Sequence, residues 1–290
     1  MNAQVGAAFS RFYEIITPSQ RQVERALVYA GAISDDVRNA AREVAPYSLT
    51  RHWLIGSYAR GTAIRKYSDL DFMFEFHGAT NIERVGSRPL LTAIKDCLDR
   101  SAGTAVRVSE MQEVVQIEYR DGIHLDILPA VRCDSQGYLI PDGRNGWQPT
   151  NPVIQEYYFK RQDDASRIQL PEFTRGMKYW NAAHGGLLHS YHLESMVAQL
   201  APQLNENYAV ASFETFEEIS RTVSISDPAG CQGELSVYLS TSQRNAISAL
   251  CRTAASGAFS ALKAQVKGDQ DAAVSTWASV YGPLFPSKVS

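Results

Sequence analysis

The sequence predicts an α+β protein in which a mixed β-sheet comes first and a helical lobe follows. Three observations predict it. Leu70, Phe72, Phe74 and Phe76 alternate with Asp71, Met73 and Glu75, the period-two signature of a half-buried strand. Residues 114–119 and 123–128 read as two strands joined by Arg120-Asp121-Gly122, and Asp-Gly is a strong hairpin signal. In the second half the apolar spacing becomes helical over 173–183, 187–200, 213–222, 242–266 and 269–280.

The remaining elements follow in chain order. Val5, Phe9, Phe12 and Ile16 sit at helical spacing, and Thr17-Pro18-Ser19 ends that helix. Ser19 is the candidate cap of a second helix reaching about residue 44, striped by Val23, Ala26, Leu27, Ala30 and Ile33 and closed by Ala45-Pro46-Tyr47. Residues 53–55 read as a short strand running into Gly56-Ser57, and 89–98 as a helix. The stretch 137–152 is rich in Gly, Pro and Asn and reads as a long irregular connection. Near it the chain divides into 1–150, N-terminal helices plus the sheet, and 151–290, the helical lobe.

Composition narrows the function. A chain of 290 residues with 44% hydrophobic content buries one large core or two smaller ones. Its 28 basic and 31 acidic residues give a formal charge of −3, which excludes the global positive field of a DNA-coating protein. No leader pattern opens the chain and no apolar run approaches the ~18 residues of a membrane span, so a cytoplasmic location without membrane attachment is expected. Cys97, Cys133, Cys231 and Cys251 lie far apart with no CxxC pair, which speaks for reduced thiols rather than a zinc ribbon or disulfide framework.

The chemistry is concentrated in Gly56-Ser57-Tyr58-Ala59-Arg60-Gly61 and Ser68-Asp69-Leu70-Asp71-Phe72. A strand ending in Gly-Ser at a helix start exposes backbone N–H groups to phosphate oxygens. Asp69 and Asp71, two residues apart, project from one face of a strand and can share hard divalent cations. A third carboxylate is needed to bridge two ions about 4 Å apart for in-line phosphoryl transfer. Asp126 is the candidate, because Ile123, Leu125 and Ile127 point to the opposite side of its strand. Arg60 lies beside the expected phosphate site, together with Arg65 and Lys66, and a solvated loop is an equal reading of this strip. His184, His189 and His192 cluster without the Cys or acidic spacing of a zinc site and are expected to be structural.

This pattern resembles the polymerase-beta-like nucleotidyltransferase superfamily. More narrowly it resembles the bacterial cGAS/DncV-like nucleotidyltransferases (CD-NTases) of CBASS antiphage systems, relatives of the animal cyclic GMP-AMP and oligoadenylate synthases. Arg175-Gly176-Met177-Lys178-Tyr179-Trp180-Asn181, Ser190-Tyr191-His192-Leu193-Glu194, Asn151-Pro152 and Ser226-Asp227-Pro228 resemble further signatures of these enzymes. The resemblance implies a nucleotidyltransferase palm with a C-terminal helical lobe and bracing N-terminal helices. It implies that Gly56, Ser57, Arg60, Lys178 and Ser190 serve the nucleotide phosphates and that Tyr191 stacks on a base. Taken as isolated residues, Lys178 is more often a solvated helix lysine and Tyr191 more often a core aromatic.

The function so implied is template-independent synthesis of a cyclic oligonucleotide, a cyclic dinucleotide above all, from nucleoside triphosphates with release of pyrophosphate. Two Mg2+ ions, with Mn2+ as a substitute, are the implied cofactors. A downstream effector that binds the product and CBASS ancillary proteins are the implied partners. The zinc-binding insertion of the DNA-sensing animal member has no counterpart, so direct DNA activation is not expected. The carboxylates alone leave open a transferase acting on RNA ends, a protein or a small molecule, and an inactive nucleotide-binding sensor.

Overall fold

The computed structural model describes residues 3–44, 47–77, 86–101, 105–133 and 137–288. Ala45 and Pro46, read above as a helix terminator, lie outside them. The chain forms two compact units. One comprises Ser19–Arg60 and Tyr67–Ile154; the other takes the chain up to Pro18, the short segment Gly61–Lys66 and everything from Gln155 onward. This departs from a single cut at 150/151 in three places, since the first helix and Gly61–Lys66 belong to the helical unit and 151–154 to the sheet unit.

The sheet unit holds helices α2 (Gln20–Ala32), α3 (Ser34–Val44), the one-turn α4 (Gly56–Ala59) and α5 (Arg88–Ser101). Its strands are β1 (Ser48–Leu54), β2 (Leu70–His77), β3 (Ala105–Glu110), β4 (Val115–Tyr119), β5 (His124–Cys133), β6 (Gly137–Pro141) and β7 (Trp147–Thr150). The main order is β1-β2-β5-β4-β3, with β6 and β7 continuing from β5. Among the described residues only β2 and β5 pair in parallel, so the sheet is mixed as expected.

The alternation read in 70–76 is what builds this unit. Leu70, Phe72, Phe74 and Phe76 are buried in one cluster with Ala26, Val37, Leu90 and Ile94 from the helices, whereas Met73 joins Leu128, Ala130 and Ile140 in a second. Full burial of each such side chain contributes about 1.5–3 kcal/mol, which pins the strand's face assignment. Two expectations are corrected. The second helix is two, because Ile33 caps α2 and Ser34 starts α3. The stretch 137–150 is not irregular: β6 and β7 form an antiparallel hairpin, Tyr138 opposite Thr150, whose pairing outweighs its Gly, Pro and Asn content.

The helical unit holds α1 (Ala3–Ile16), α6 (Pro152–Ala165), α7 (Leu170–Ala183), α8 (Ser190–Leu200), α9 (Tyr208–Arg221), α10 (Thr241–Val266) and α11 (Gln270–Tyr281). Phe9, Phe12 and Tyr13 of α1 bury into its core beside Trp180, Trp277 and Tyr281. Helix α6 carries no clear apolar stripe; its start is set by Asn151, whose Oδ1 accepts Ile154 N–H at 3.2 Å. Helix α10 opens with a reciprocal cap between Ser240 and Gln243.

Candidate active site

Parallel pairing of β2 with β5 sets Asp71 directly opposite Asp126, with Asp69 just ahead of β2. Neighbouring strands lie about 4.8 Å apart, so the register sets these two carboxylates side by side on one face of the sheet. On the other side of β2, β1 runs antiparallel and delivers Gly56-Ser57 beside Asp71: Ile55 N–H donates to Asp71 O at 2.9 Å. Gly56 has φ +69°, and a Cβ there would lie within overlap distance of Asp71 Oδ2 and 3.1 Å from its Cγ. Glycine is required at this position twice over, by backbone conformation and by the closeness of the carboxylate. Arg60 caps α4, its N–H donating to Gly56 O at 3.2 Å.

Burial dominates the electrostatics of Asp126 and Asp69. Burial raises the Asp126 carboxyl to about 6; Gln116 Nε2, donating to its Oδ1 at 2.8 Å, pulls it back, and the Asp69 charge pushes it up again. Asp69 is raised too, by burial first, with His124 opposing. His124 Nδ1 lies 3.9 Å from Asp69 Oδ1. The Tyr58 hydroxyl is raised by burial and then by Asp69 and Asp71. Among the described residues no three His, Cys, Asp or Glu side chains are already gathered as metal ligands. In kind the donors still suit a hard divalent cation, since they are oxygens and their negative charge is held at a cost that a cation would remove.

Lys178, Ser190 and Tyr191 belong to the helical unit. Ser190 is exposed at the first turn of α8. Lys178 is not a solvated lysine: its side chain is 4% exposed and Glu194, 2% exposed, holds its Nζ at 2.6 Å. Glu194 also accepts the Thr62 hydroxyl at 2.9 Å. Arg175 adds bonds to the carbonyls of Ala63 and Gly61 and to the Thr17 hydroxyl. Together these fasten Gly61–Ala63, the chain between the Gly-Ser and Asp-x-Asp motifs, within the helical unit. Arg65 bonds to the carbonyls of Thr17 and Glu14.

Tyr191 is partly buried, and its hydroxyl donates to Asp227 Oδ1 at 2.7 Å. Asp227 also accepts the N–H groups of Ala229, Cys231 and Gln232, so Ser226-Asp227-Pro228 is a loop organiser that orients this tyrosine. The histidines are structural as expected. His192 bonds to Val223 O and the Tyr238 hydroxyl, His189 stacks on Tyr238 at 3.7 Å, and His184 bonds to Trp180 O.

Sequence reading missed Gln116, Tyr58 and His124 as neighbours of the carboxylates. His124 had a signal, since it precedes Asp126 by two residues on the same face. Gln116 had none, because only strand pairing sets it opposite Asp126.

Comparison with known proteins meets this geometry. A protein of Bacillus cereus (strain VD146) named "Probable cyclic nucleotide synthase" is 27% identical over 274 residues, 80% of this chain and 81% of its own. Among solved structures, CdnC of E. coli MS115-1 with ATP superposes with a TM-score of 0.77 at 18% identity, covering 96% of this chain and 98% of that one. CdnG of Bradyrhizobium diazoefficiens with GTP gives 0.74 at 14%, covering 94% and 97%. The Vibrio cholerae cyclic AMP-GMP synthase DncV with a linear intermediate gives 0.65 at 14%, covering 97% and 88%. These likenesses establish the polymerase-beta-like nucleotidyltransferase fold. The family model described as the Second Messenger Oligonucleotide or Dinucleotide Synthetase domain, SMODS, matches residues 3–162, the span that carries all three aspartates. The resemblance read from the motifs is thus borne out, and the chain belongs to the SMODS family of cGAS/DncV-like nucleotidyltransferases.

Proposed function

We propose that this protein joins nucleoside triphosphates into a cyclic oligonucleotide second messenger, releasing pyrophosphate at each bond, in antiphage signalling. The observation that carries the reading is the register of Asp71 against Asp126, with Asp69 and Gly56-Ser57 alongside. Family membership and the curated relative favour this over transfer to RNA ends, a protein or a small molecule, and over an inactive sensor.

Asp69, Asp71 and Asp126 would hold Mg2+, or Mn2+ in its place. Bound there, such ions lower the pKa of the attacking hydroxyl and neutralise the leaving pyrophosphate. The chain's own residues do the rest. Gln116 fixes one oxygen of Asp126 and so aims the other. Gly56 lets the backbone approach Asp71 closely, and Ser57 and the following amides face donor phosphates. Within the helical unit, Ser190 and Tyr191 are the candidate nucleotide contacts, Tyr191 oriented by Asp227. Lys178 acts through Glu194, keeping Gly61–Ala63 in place. An acceptor ribose hydroxyl attacks the donor α-phosphorus, the new P–O bond forms as the bond to pyrophosphate breaks, and a second such attack closes the ring.

The product would act through a separate effector. An ancillary protein is a further expected partner, as CdnC is solved in a complex with a HORMA protein. No described helix is long and apolar enough to cross a membrane, and a cytoplasmic location is proposed. The test is incubation with all four ribonucleoside triphosphates and Mg2+, phosphatase treatment, and mass spectrometry of resistant products. A cyclic product resists because it has no terminal phosphate. Absence of any resistant product distinguishing wild type from Asp69→Ala/Asp71→Ala would refute the reading.

A further inference from the structure

Within the sheet unit a cavity of about 790 Å3 opens from Asp71 and Asp126. That is ample for one nucleotide, since pockets for such ligands run to roughly 300–1,000 Å3. Away from the aspartates its lining is part apolar, with Leu91, Met111 and Val114, and part polar, with Glu110, Arg88 and Gln112. Four acidic residues, Asp71, Asp126, Glu110 and Glu113, line the cavity with one arginine, Arg88. Away from Asp71 and Asp126 this balance disfavours a triphosphate and favours the N–H edge of a base.

Glu110 is fixed at both oxygens. Its Oε2 accepts the Thr92 hydroxyl at 2.8 Å and its Oε1 accepts Arg88 Nε at 3.3 Å, and each oxygen keeps a second lone pair. Arg88 is itself anchored: its backbone N–H donates to Asn145 Oδ1 at 3.0 Å, and Ser87 N–H to Asn145 O at 3.2 Å. Asn145 takes φ +81° to do this, closing the tip of the β6–β7 hairpin over the start of α5. A carboxylate with two fixed oxygens matches two adjacent donors. Guanine alone among the four bases sets two side by side, N1–H and N2–H, on its Watson–Crick edge.

We propose that this cavity holds the acceptor nucleotide, its ribose hydroxyl at the Asp71–Asp126 end, and that Glu110 selects guanine as its base. The inference rests on the synthase reading above, but the base preference is measurable without turnover. Isothermal titration of GMP and AMP into the full chain, wild type and Glu110→Gln, is run beside base analysis of the phosphatase-resistant product. Wild type is expected to bind GMP about tenfold more tightly than AMP, the worth of one charge-assisted hydrogen bond. Glu110→Gln is expected to abolish that preference and to deplete guanine from the product. AMP bound as well as GMP by wild type, or a preference unchanged in a normally melting Glu110→Gln protein, overturns the assignment. Should that variant not fold, Thr92→Val, at an exposed position, decides instead by weakening the preference or leaving it intact. A Glu110-dependent GMP preference without any cyclic product would uphold the pocket and sink the cyclisation.

Discussion

Replacing Gly56 by alanine separates two costs that the structure assigns to the same residue. The first is conformational: at φ +69° an L side chain costs about 1–2 kcal/mol. The second is local to the chemistry, because the new Cβ would overlap Asp71 Oδ2 and force that carboxylate to move. Gly122, in the β4–β5 hairpin, provides the control. Its φ is +78°, and a Cβ there meets nothing within 4 Å. Gly56→Ala and Gly122→Ala should therefore lose comparable stability, a melting shift of about 2–4 °C for each kcal/mol. Only Gly56→Ala should lose activity, by about a hundredfold if Asp71 is displaced by ~1 Å. The assay is pyrophosphate release from ribonucleoside triphosphates with Mg2+, alongside thermal melting of both proteins. Equal activity in the two variants would refute the reasoning, for it would mean that the position of the Asp71 carboxylate does not limit turnover.

Other predictions concern the carboxylates and the buried pairs. Asp69→Ala and Asp71→Ala should each abolish pyrophosphate release while circular dichroism and melting stay near wild type. Asp126, raised to about 6 when folded against 3.8 otherwise, contributes stability that is full below pH 3.8 and lost as pH rises through 6, about 3 kcal/mol in all. In chelator-treated protein Asp126→Asn should thus melt above wild type at pH 8 and level with it near pH 4; no gap at pH 8 would contradict the burial assigned to it. Lys178→Met leaves Glu194 buried without its cation and should cost about 3–5 kcal/mol. Lys178→Met/Glu194→Gln should recover part of the melting loss with KM for triphosphate unchanged, whereas a raised KM would return Lys178 to the phosphates. Tyr191→Phe should keep KM near wild type and Tyr191→Ala raise it, a pattern that separates a stacking ring from a hydroxyl needed only for its bond to Asp227.

The class of the fold and the placing of Asp71 and Asp126 on the polar side of their strands were legible because both depend on local periodicity, whereas Asp69, read as a strand residue, stands just ahead of β2. Alternation in 70–76 and 123–127 says which side chains share a face, and burial of Leu70, Phe72, Leu125 and Ile127 enforces it. The Gly-Ser motif was legible for a similar reason, as glycine marks a backbone need that no other residue meets freely. Partnership is another matter. That β2 lies parallel to β5 with Asp71 against Asp126, that Gln116 meets Asp126, and that 137–150 pairs as a hairpin are contacts between distant segments, and periodicity carries no register. The same limit applies to α1, whose apolar stripe announced a buried helix but not which core would receive it. Lys178 shows the limit for single charges: its residue type suggests solvent or phosphate, and only the packing of α7 beside α8 supplies the buried Glu194 that claims it. Local chemistry wrote the list of candidate groups, and tertiary pairing decided which of them meet, because the free energy of a charge or a strand edge depends on what lies across from it.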